Sequence, residues 1–313
     1  MISRRQLLKG FAALSISGIG LGGYALAEPF RLSVTRYALT PPNWPNGLQL
    51  RIAVLADLHA CQRWMPVERI RQIVARTNAL SADIVLLPGD FVVGHRMARF
   101  SRPVAHDDWA RELARLSAPL GRHAVLGNHD WWEDVSVQRR RAGPVAAGVA
   151  LERAVIPVFE NDAIRLSKDG RAFWIAGLGD QWAFWPRREN YEWFKQRGKV
   201  DYVGVDDLKG TLAKVTDDAP VILMAHEPDI FARMPDRVAL TISGHTHGGQ
   251  VNLAGYTPIV PSKFGSRYVY GHIVEDGRHL IVSGGLGLSG LPIRFGCPPE
   301  IVLIELGGAQ QPA

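Results

Sequence analysis

Residues 50–59 read Leu-Arg-Ile-Ala-Val-Leu-Ala-Asp-Leu-His, an apolar run that ends in an aspartate and a histidine. A run this short, bounded by polar residues, indicates a strand that is buried on both faces. Ile84–Leu87 has the same character, and between the two runs Pro66 opens a stretch with apolar residues at helical spacing. This part of the chain therefore predicts a β-α-β unit.

The second half of the chain has a different pattern. Turn sequences at residues 167–170 (Ser-Lys-Asp-Gly) and 275–278 (Glu-Asp-Gly-Arg) each separate β-rich segments, which predicts two hairpins. An amphipathic helix is expected from Val205 to Val215, followed by two apolar strands. Repeated β-α units followed by hairpins predict an α/β layered sandwich of mixed sheets with covering helices.

Five clusters of polar residues come directly after apolar runs. Alone, each cluster has an ordinary structural explanation, such as a turn for a Gly-Asp pair or a core histidine for His226. Together they predict a single site, because residues beyond the carboxyl ends of buried strands converge on one crevice in layered α/β proteins. The clusters are Asp57-Leu58-His59, Gly89-Asp90, Gly127-Asn128-His129-Asp130, Ala225-His226 and Gly244-His245-Thr246-His247.

The side chains in these clusters are typical of a site for divalent metal ions. Carboxylates, imidazoles and an amide oxygen without thiolates favour manganese, zinc or iron over calcium, which prefers oxygen ligands alone. A carboxylate can bridge two ions, and Asp90 is the candidate bridge. Gly127 is expected to allow a sharp backbone turn. His245 and His247 are alternate residues of a segment expected to be extended, so both imidazoles are predicted to point the same way.

The order Asp-x-His, Gly-Asp, Gly-Asn-His-Asp, His, Gly-His-x-His resembles that of the calcineurin-like metallophosphoesterases, from about Leu48 to Leu306. Residues 244–250 and 292–300 are similar to a bacterial branch of exported or membrane-associated phosphodiesterases. That branch includes enzymes that cleave the pyrophosphate of UDP-2,3-diacylglucosamine, a lipid A precursor. The resemblance implies a four-layer αββα sandwich of two mixed β-sheets flanked by helices. It also implies hydrolysis of a phosphodiester or pyrophosphate bond with two divalent metal ions.

The same resemblance implies roles for the site residues. His129 would be the catalytic histidine beside the leaving group. Many relatives carry a second acid three residues after the Gly-Asp aspartate, where it orients this histidine, but Val93 occupies that position here. The adjacent Asp130 is one candidate partner for His129. The expected metal ligands are Asp57, His59 and His247 for the first ion, Asn128, His226 and His245 for the second, and Asp90 as the bridge.

Two other functions stay open at this point. A broad phosphomonoesterase or nucleotidase would share the metal site, and a non-catalytic envelope-binding protein would keep the fold as a scaffold. Arg4, Arg5 and Lys9 supply three of the +6 net charges, so the rest of the chain is too weakly basic to predict a nucleic-acid partner. The expected partners are a phosphate-ester or pyrophosphate substrate, which can be lipid-linked, a membrane surface and the twin-arginine export machinery. A monomer is expected.

The first 27 residues have the pattern of an export signal. Residues 3–9 read Ser-Arg-Arg-Gln-Leu-Leu-Lys, and an apolar run follows and ends at Ala25-Leu26-Ala27. This is typical of a twin-arginine signal cleaved after Ala27. The run of about 17 residues is also compatible with an uncleaved membrane anchor. The expected location is the periplasm, the outer face of the cytoplasmic membrane or the cell wall. The predicted segments are a signal or anchor at 1–27, a catalytic domain at 48–306 and a flexible tail at 307–313.

Two further features carry predictions. Cys61 and Cys297 form no C-x-x-C motif, and two free, partly buried thiols are favoured over a disulfide. The stretch from Gln181 to Gly198 mixes aromatic and basic residues. It predicts either packing of the aromatic rings onto the core or an exposed lip that touches a membrane interface or an acylated, anionic substrate.

Overall fold

The computed structural model describes residues 20–186 and 202–308 of the chain. The helices are α1 (residues 20–27), α2 (Val67–Asn78), α3 (His106–Leu113), α4 (Asn128–Trp132), α5 (Val135–Arg140), α6 (Ala146–Arg153) and α7 (Leu208–Ala213). The strands are β1 (Ser33–Leu39), β2 (Leu50–Val54), β3 (Ile84–Pro88), β4 (Arg122–Val125), β5 (Asp162–Lys168), β6 (Arg171–Gly177), β7 (Val221–Met224), β8 (Val238–Ser243), β9 (Gly271–Glu275), β10 (Arg278–Val282) and β11 (Glu300–Leu306).

The strands form two mixed sheets. The first has the order β1-β11-β2-β3-β4, in which β11 and β2 are antiparallel and the other neighbours are parallel. The second has the order β5-β6-β7-β8-β10-β9, with an antiparallel pair at each edge. These edge pairs are the two predicted hairpins. Their turn residues, Asp169-Gly170 and Asp276-Gly277, all have the positive φ that two-residue hairpin loops require.

Alternate residues of β3 show how the layers pack. Ile84 and Leu86 belong to the inner core, which also contains side chains from the second sheet. Val85 and Leu87 belong to the outer core, where the apolar sides of α2, α3 and α6 cover the first sheet. A third apolar cluster covers the far face of the second sheet, against α7 and the 3₁₀ turn at Pro228–Arg233. The predicted four-layer sandwich is therefore confirmed.

The helix expected from Val205 to Val215 is shorter than predicted. The Asp207 side chain accepts a hydrogen bond from the Gly210 N–H at 2.8 Å, so this residue caps α7 and the helix begins at Leu208. The Val205 N–H donates to the Asp180 carbonyl oxygen at 2.8 Å, which holds this residue to a neighbouring loop. The apolar spacing located the helix correctly, but local hydrogen bonds set its start.

The fold begins before the predicted boundary at residue 48, because β1 pairs with β11 along its whole length. Ahead of β1, the Ala25 carbonyl oxygen accepts the Arg294 N–H at 3.0 Å, and the Tyr24 ring packs edge-on against Phe295. Residues 1–19 and 309–313 lie outside the described residues, so the export signal and the flexible tail stay predictions. Within the described ranges, no helix has both the length and the apolar character needed to cross a bilayer.

Candidate metal centre

The expected ligand residues lie at the ends of strands from both sheets. Asp57 and Asp90 follow β2 and β3, and Asn128 follows β4 as the first residue of α4. His226 and His245 follow β7 and β8 of the second sheet. All five side chains are buried. The ends of the strands therefore meet at one place, as expected for a layered α/β protein.

The first ligand group consists of Asp57, His59 and His247, whose donor atoms lie within 4.8 Å of one another. The His59 and His247 Nε2 atoms are 3.0 Å apart, and Asp57 Oδ1 is 3.7 Å from His247 Nε2. His59 Nδ1 lies 2.9 Å from the carbonyl oxygen of Val92. A hydrogen bond from Nδ1–H to this oxygen fixes the tautomer and leaves Nε2 facing the group.

The second ligand group consists of Asp90, His226 and His245, and Asn128 Oδ1 lies beside both histidines. Asn128 Oδ1 lies 2.8 Å from His245 Nδ1 and 3.2 Å from His226 Nε2. His226 Nδ1 is 2.7 Å from the Pro88 carbonyl oxygen, which fixes the tautomer of this imidazole in the same way as for His59. Two imidazole nitrogens and two oxygens thus face a common point.

Asp90 lies between the two ligand groups. Its Oδ2 atom is 3.5 Å from His59 Nε2 of the first group and 3.2 Å from His226 Nε2 of the second. Its Oδ1 atom accepts the backbone N–H of His129 at 2.8 Å, which holds the carboxylate in place. One oxygen of a single buried carboxylate therefore faces both groups, the position that a bridging ligand needs.

The backbone at the ligands is in an unusual conformation. Asp57, His59, Asp90, His245 and His247 all have φ between 45° and 70°. Non-glycine residues with such backbone angles cost about 1–3 kcal/mol each and cluster at functional sites. The segment that carries His245 and His247 is therefore not extended, so the prediction of an extended segment is wrong. The two imidazoles belong to different ligand groups.

Gly127 is required for space and not for a turn. Its φ of −111° is open to any residue, so the prediction of a sharp turn at this glycine is wrong. A Cβ atom here would lie 2.4 Å from Asp90 Oδ1 and 2.6 Å from His226 Cε1. Any larger residue would push the connection between β4 and α4 away from the ligands.

The donor set fits two divalent cations. Asp57 Oδ2 is buried and has no hydrogen-bond partner among the described residues. Burial raises the pKa of this carboxyl group to about 7, against the lowering effect of His226. Burial also lowers the pKa of His59 to about 4 and the pKa of His245 to about 3, which favours the neutral imidazoles that bind metal. Nitrogen and oxygen donors without thiolate suit manganese, zinc or iron.

His129 has a partner that the sequence reading missed. Its Nδ1 atom lies 3.4 Å from Glu133 Oε1, one turn later in the chain, and the same oxygen accepts the His95 N–H at 2.8 Å. Asp130 points away, because its carboxylate accepts backbone N–H groups of residues 90–92 and of Gly127. The sequence did contain a signal for this pair. His129 and Glu133 are four residues apart, and residues at this spacing are neighbours if the segment is helical.

The pKa of His129 reflects these neighbours. Burial lowers it, but the negative charge of Asp90 and the hydrogen bond with Glu133 raise it, and the resulting pKa lies above the ordinary value for histidine. The Glu133 carboxyl group responds in the opposite sense. Its own burial raises its pKa, but the contacts with His129 and His95 lower it below the ordinary value for glutamate.

A buried arginine, Arg294, contacts His247 of the first ligand group. The Arg294 guanidinium donates to the carbonyl oxygens of Gly284, Gly287 and Cys297 at 2.8, 2.7 and 2.9 Å. Its Nη2 atom lies 3.3 Å from His247 Nδ1. Cys297 Sγ lies 3.2 Å from the His247 carbonyl oxygen, to which its S–H donates. Both cysteines of the chain, this one and Cys61, are free and buried, as predicted.

A cavity of about 200 Å³ adjoins the second ligand group, where Asp90, Asn128 and His245 line it. His129 lines it together with Trp182 and Trp185 from the aromatic stretch. Phe184 packs into the core, as the first predicted alternative has it, whereas Trp182 and Trp185 are partly buried. The predicted contact with a membrane or an acylated substrate stays a prediction, and residues 187–201 lie outside the described residues.

The comparisons with known proteins identify the family of this chain. The calcineurin-like phosphoesterase family model matches residues 50–249. The chain is 30% identical to phosphodiesterase YaeI of Escherichia coli (strain K12), covering 98% of this chain and 100% of that protein. It is 29% identical to the uncharacterized metallophosphoesterase YkuE of Bacillus subtilis (strain 168), covering 97% and 98% of the two chains. A solved structure of a dimetal phosphatase from Danio rerio is similar with a TM-score of 0.44 and 15% identity, over 76% of this chain and 88% of that one.

The chain belongs to the calcineurin-like phosphoesterase family and is a metal-dependent phosphoesterase.

Proposed function

We propose that this enzyme hydrolyses a phosphodiester or pyrophosphate bond, with the phosphate group at the two ligand groups and its substituents in the adjoining cavity. The observation that carries the proposal is the position of Asp90. Its Oδ2 atom faces both groups, and its Oδ1 atom holds the backbone of His129 at the edge of the cavity. A relative that this chain matches over its whole length is named a phosphodiesterase, which supports a diester over a monoester.

Each side chain has a task in this reaction. Two divalent cations bound at the ligand groups would neutralise the phosphate oxygens and lower the pKa of a water nucleophile. His129 Nδ1 faces Glu133, so a proton on Nε2 can pass to the departing oxygen. Proton transfer by a positioned side chain typically contributes about a hundred- to ten-thousandfold in rate.

The test compares two chromogenic substrates that release the same product. The full chain, loaded with Mn²⁺, is assayed with bis-p-nitrophenyl phosphate and with p-nitrophenyl phosphate. We expect the diester to have the higher kcat/KM and a chelator to abolish its hydrolysis. The reverse preference would assign a phosphomonoesterase or nucleotidase. No hydrolysis of either substrate by protein that holds two metal ions per chain would favour a non-catalytic binding role.

For the natural substrate we propose a nucleotide-linked lipid of the cell envelope, such as UDP-2,3-diacylglucosamine. The similarity of residues 244–250 and 292–300 to enzymes that cleave this pyrophosphate supports the choice. Mass spectrometry after incubation should show UMP and the lipid phosphate. An intact lipid, in the presence of enzyme that hydrolyses bis-p-nitrophenyl phosphate, would rule out this substrate.

For the location we propose the outer side of the cytoplasmic membrane. The support is the Ser-Arg-Arg sequence at residues 3–5, followed by the apolar run up to Ala27. Replacing Arg4 and Arg5 by lysine should retain the protein in the cytoplasm on cell fractionation. Unchanged export of this double variant would show that the protein does not use the twin-arginine pathway.

A further inference from the structure

Four aromatic side chains form one wall of the cavity beside the ligand groups. We call this set, Trp132, Trp182, Trp185 and Tyr202, the aromatic wall. The ring centroids of Trp132 and Trp185 are 4.3 Å apart, those of Trp132 and Tyr202 are 4.9 Å apart, and those of Trp182 and Tyr202 are 4.7 Å apart. The rings thus make a continuous surface.

The aromatic wall is distinct from the core aromatic residues beside it. Trp131 and Phe184 are buried, pack against each other with centroids 5.3 Å apart and belong to the outer core. Their neighbours in sequence, Trp132 and Trp185, are only partly buried and line the cavity. Trp132 still packs against the outer core with part of its surface, whereas Trp185 is not part of any apolar core cluster of the described residues, so packing of the core does not account for its position.

Hydrogen bonds hold the aromatic wall in place. Trp132 Nε1–H donates to the Trp182 carbonyl oxygen at 2.6 Å, and the Trp182 N–H donates to Asp180 Oδ1 at 2.8 Å. The Gln138 side chain donates to the Ala183 carbonyl oxygen at 2.7 Å. Rings fixed before binding lose little conformational entropy when a ligand stacks on them, which favours affinity.

The aromatic wall contacts His129 at one end and His245 of the second ligand group at the other. The Trp132 ring packs edge-on against His129 with centroids 5.2 Å apart, and the Trp182 ring packs edge-on against His245 at 4.6 Å. Arg96 also lines this cavity and contributes a positive charge. A phosphate ester bound at the ligand groups would therefore place its substituent against the aromatic wall.

We infer that the aromatic wall is a binding subsite for a flat ring on the substrate, so that the enzyme selects phosphate esters that carry an aryl group or a nucleobase. The inference rests on the proposed function for the position of the phosphate. An enclosed cavity of about 150 Å³ holds a benzene ring, so the observed volume of about 200 Å³ has room for one. Stacking on aromatic side chains tolerates any ring, since every ring presents a π face.

The test measures binding without turnover. Isothermal titration calorimetry of the metal-loaded full chain uses phenylphosphonate, methylphosphonate and hexylphosphonate, in which the C–P bond is not hydrolysed. A fourth ligand, the 5′-phosphonate of 5′-deoxyadenosine, distinguishes a nucleobase from a simple aryl group. We expect the preferred ring-bearing ligand to bind about 5- to 150-fold more tightly than methylphosphonate, the range of stacking on aromatic side chains. Hexylphosphonate should bind only slightly more tightly than methylphosphonate.

Matched variants assign the preference to the aromatic wall. Trp182→Leu should bring the dissociation constants of the ring-bearing ligands close to that of methylphosphonate, and Trp182→Phe should keep most of the preference. The control Phe30→Ala removes a ring that is 55% exposed and contacts Arg69, and it should change nothing. Metal content shows that each variant is folded.

Two outcomes would overturn the inference. One is equal binding of phenylphosphonate, the adenosine phosphonate and methylphosphonate. The other is a hexyl preference as large as the ring preference, which would indicate a general apolar surface. Either result, in an enzyme that hydrolyses bis-p-nitrophenyl phosphate, leaves the proposed function intact. A ring preference in a protein without this hydrolysis would reject the proposed function and keep the subsite.

Discussion

The metal centre and the aromatic wall adjoin the same cavity but are held in different ways. In the centre the ligands are buried, and Asp57, His59, Asp90, His245 and His247 have left-handed backbone conformations. In the aromatic wall the rings stay partly exposed and contact one another. The ends of packed strands thus fix the centre, whereas local side-chain contacts fix the wall. Substitutions in the centre should abolish activity, and substitutions in the wall should shift affinity.

The largest effect is expected for Asp90→Asn. An amide oxygen carries no charge to bridge two cations, and the charge stabilisation at stake is several kcal/mol. We expect kcat/KM to fall by at least about a thousandfold and the metal content to fall below two ions per chain. Elemental analysis of the purified variant measures the metal content. Two ions per chain in Asp90→Asn would show that Asp90 is not the bridge.

His129→Ala should separate metal binding from chemistry. The side chain is not one of the expected ligands, so the metal content should match that of the parent protein. The loss of a proton donor at the leaving oxygen should lower kcat by about a hundred- to ten-thousandfold. Steady-state kinetics with bis-p-nitrophenyl phosphate gives kcat. An unchanged kcat would exclude the proposed role of His129.

Glu133→Gln should have a smaller effect at the same edge of the cavity. A hydrogen bond to a charged group contributes about 1.5–3 kcal/mol, so its loss should lower kcat by about ten- to a hundredfold with little change in KM. The loss should be larger for alkyl leaving groups than for p-nitrophenolate, which needs little protonation. Glu152→Gln, on the exposed side of α6, is the matched control. Equal losses for both kinds of leaving group would point to a structural role alone.

Trp185→Leu should have the smallest effect. Its ring contacts Trp132 and Tyr202 and lies beyond the rings that touch His129 and His245. An aromatic pair contributes about 0.5–1.5 kcal/mol, so KM for bis-p-nitrophenyl phosphate should rise by about two- to twelvefold while kcat stays constant. A loss in kcat larger than the rise in KM would show that the wall positions His129 and does not only bind the substrate.

The same contrast explains how much the sequence could predict. Periodicity located β2, α2, β3 and the two hairpins, because burial on alternate faces and turn chemistry are local properties of the chain. The ligand residues were recognisable because each follows an apolar run. The structure brings Asp57, His59 and His247 together, and likewise Asp90, Asn128, His226 and His245, although up to 190 positions separate them.

What escaped prediction depends on contacts between distant segments. The pairing of Glu133 with His129 requires a helix at Asn128–Trp132, a span too short for a periodic signal. The buried Arg294 contacts His247, 47 positions earlier in the chain, and no local sequence pattern indicates this contact. The segment at His245 and His247 is not extended because both residues have positive φ angles, which are uncommon for residues other than glycine and are not evident in the sequence pattern.

The most direct test of the account is anomalous diffraction from crystals of the full chain loaded with manganese. The account predicts two anomalous peaks per chain. One should lie among Asp57, His59 and His247, the other should lie among Asn128, His226 and His245, and Asp90 should contact both. A single peak, or peaks away from these side chains, would contradict the dinuclear centre on which the proposed hydrolysis depends.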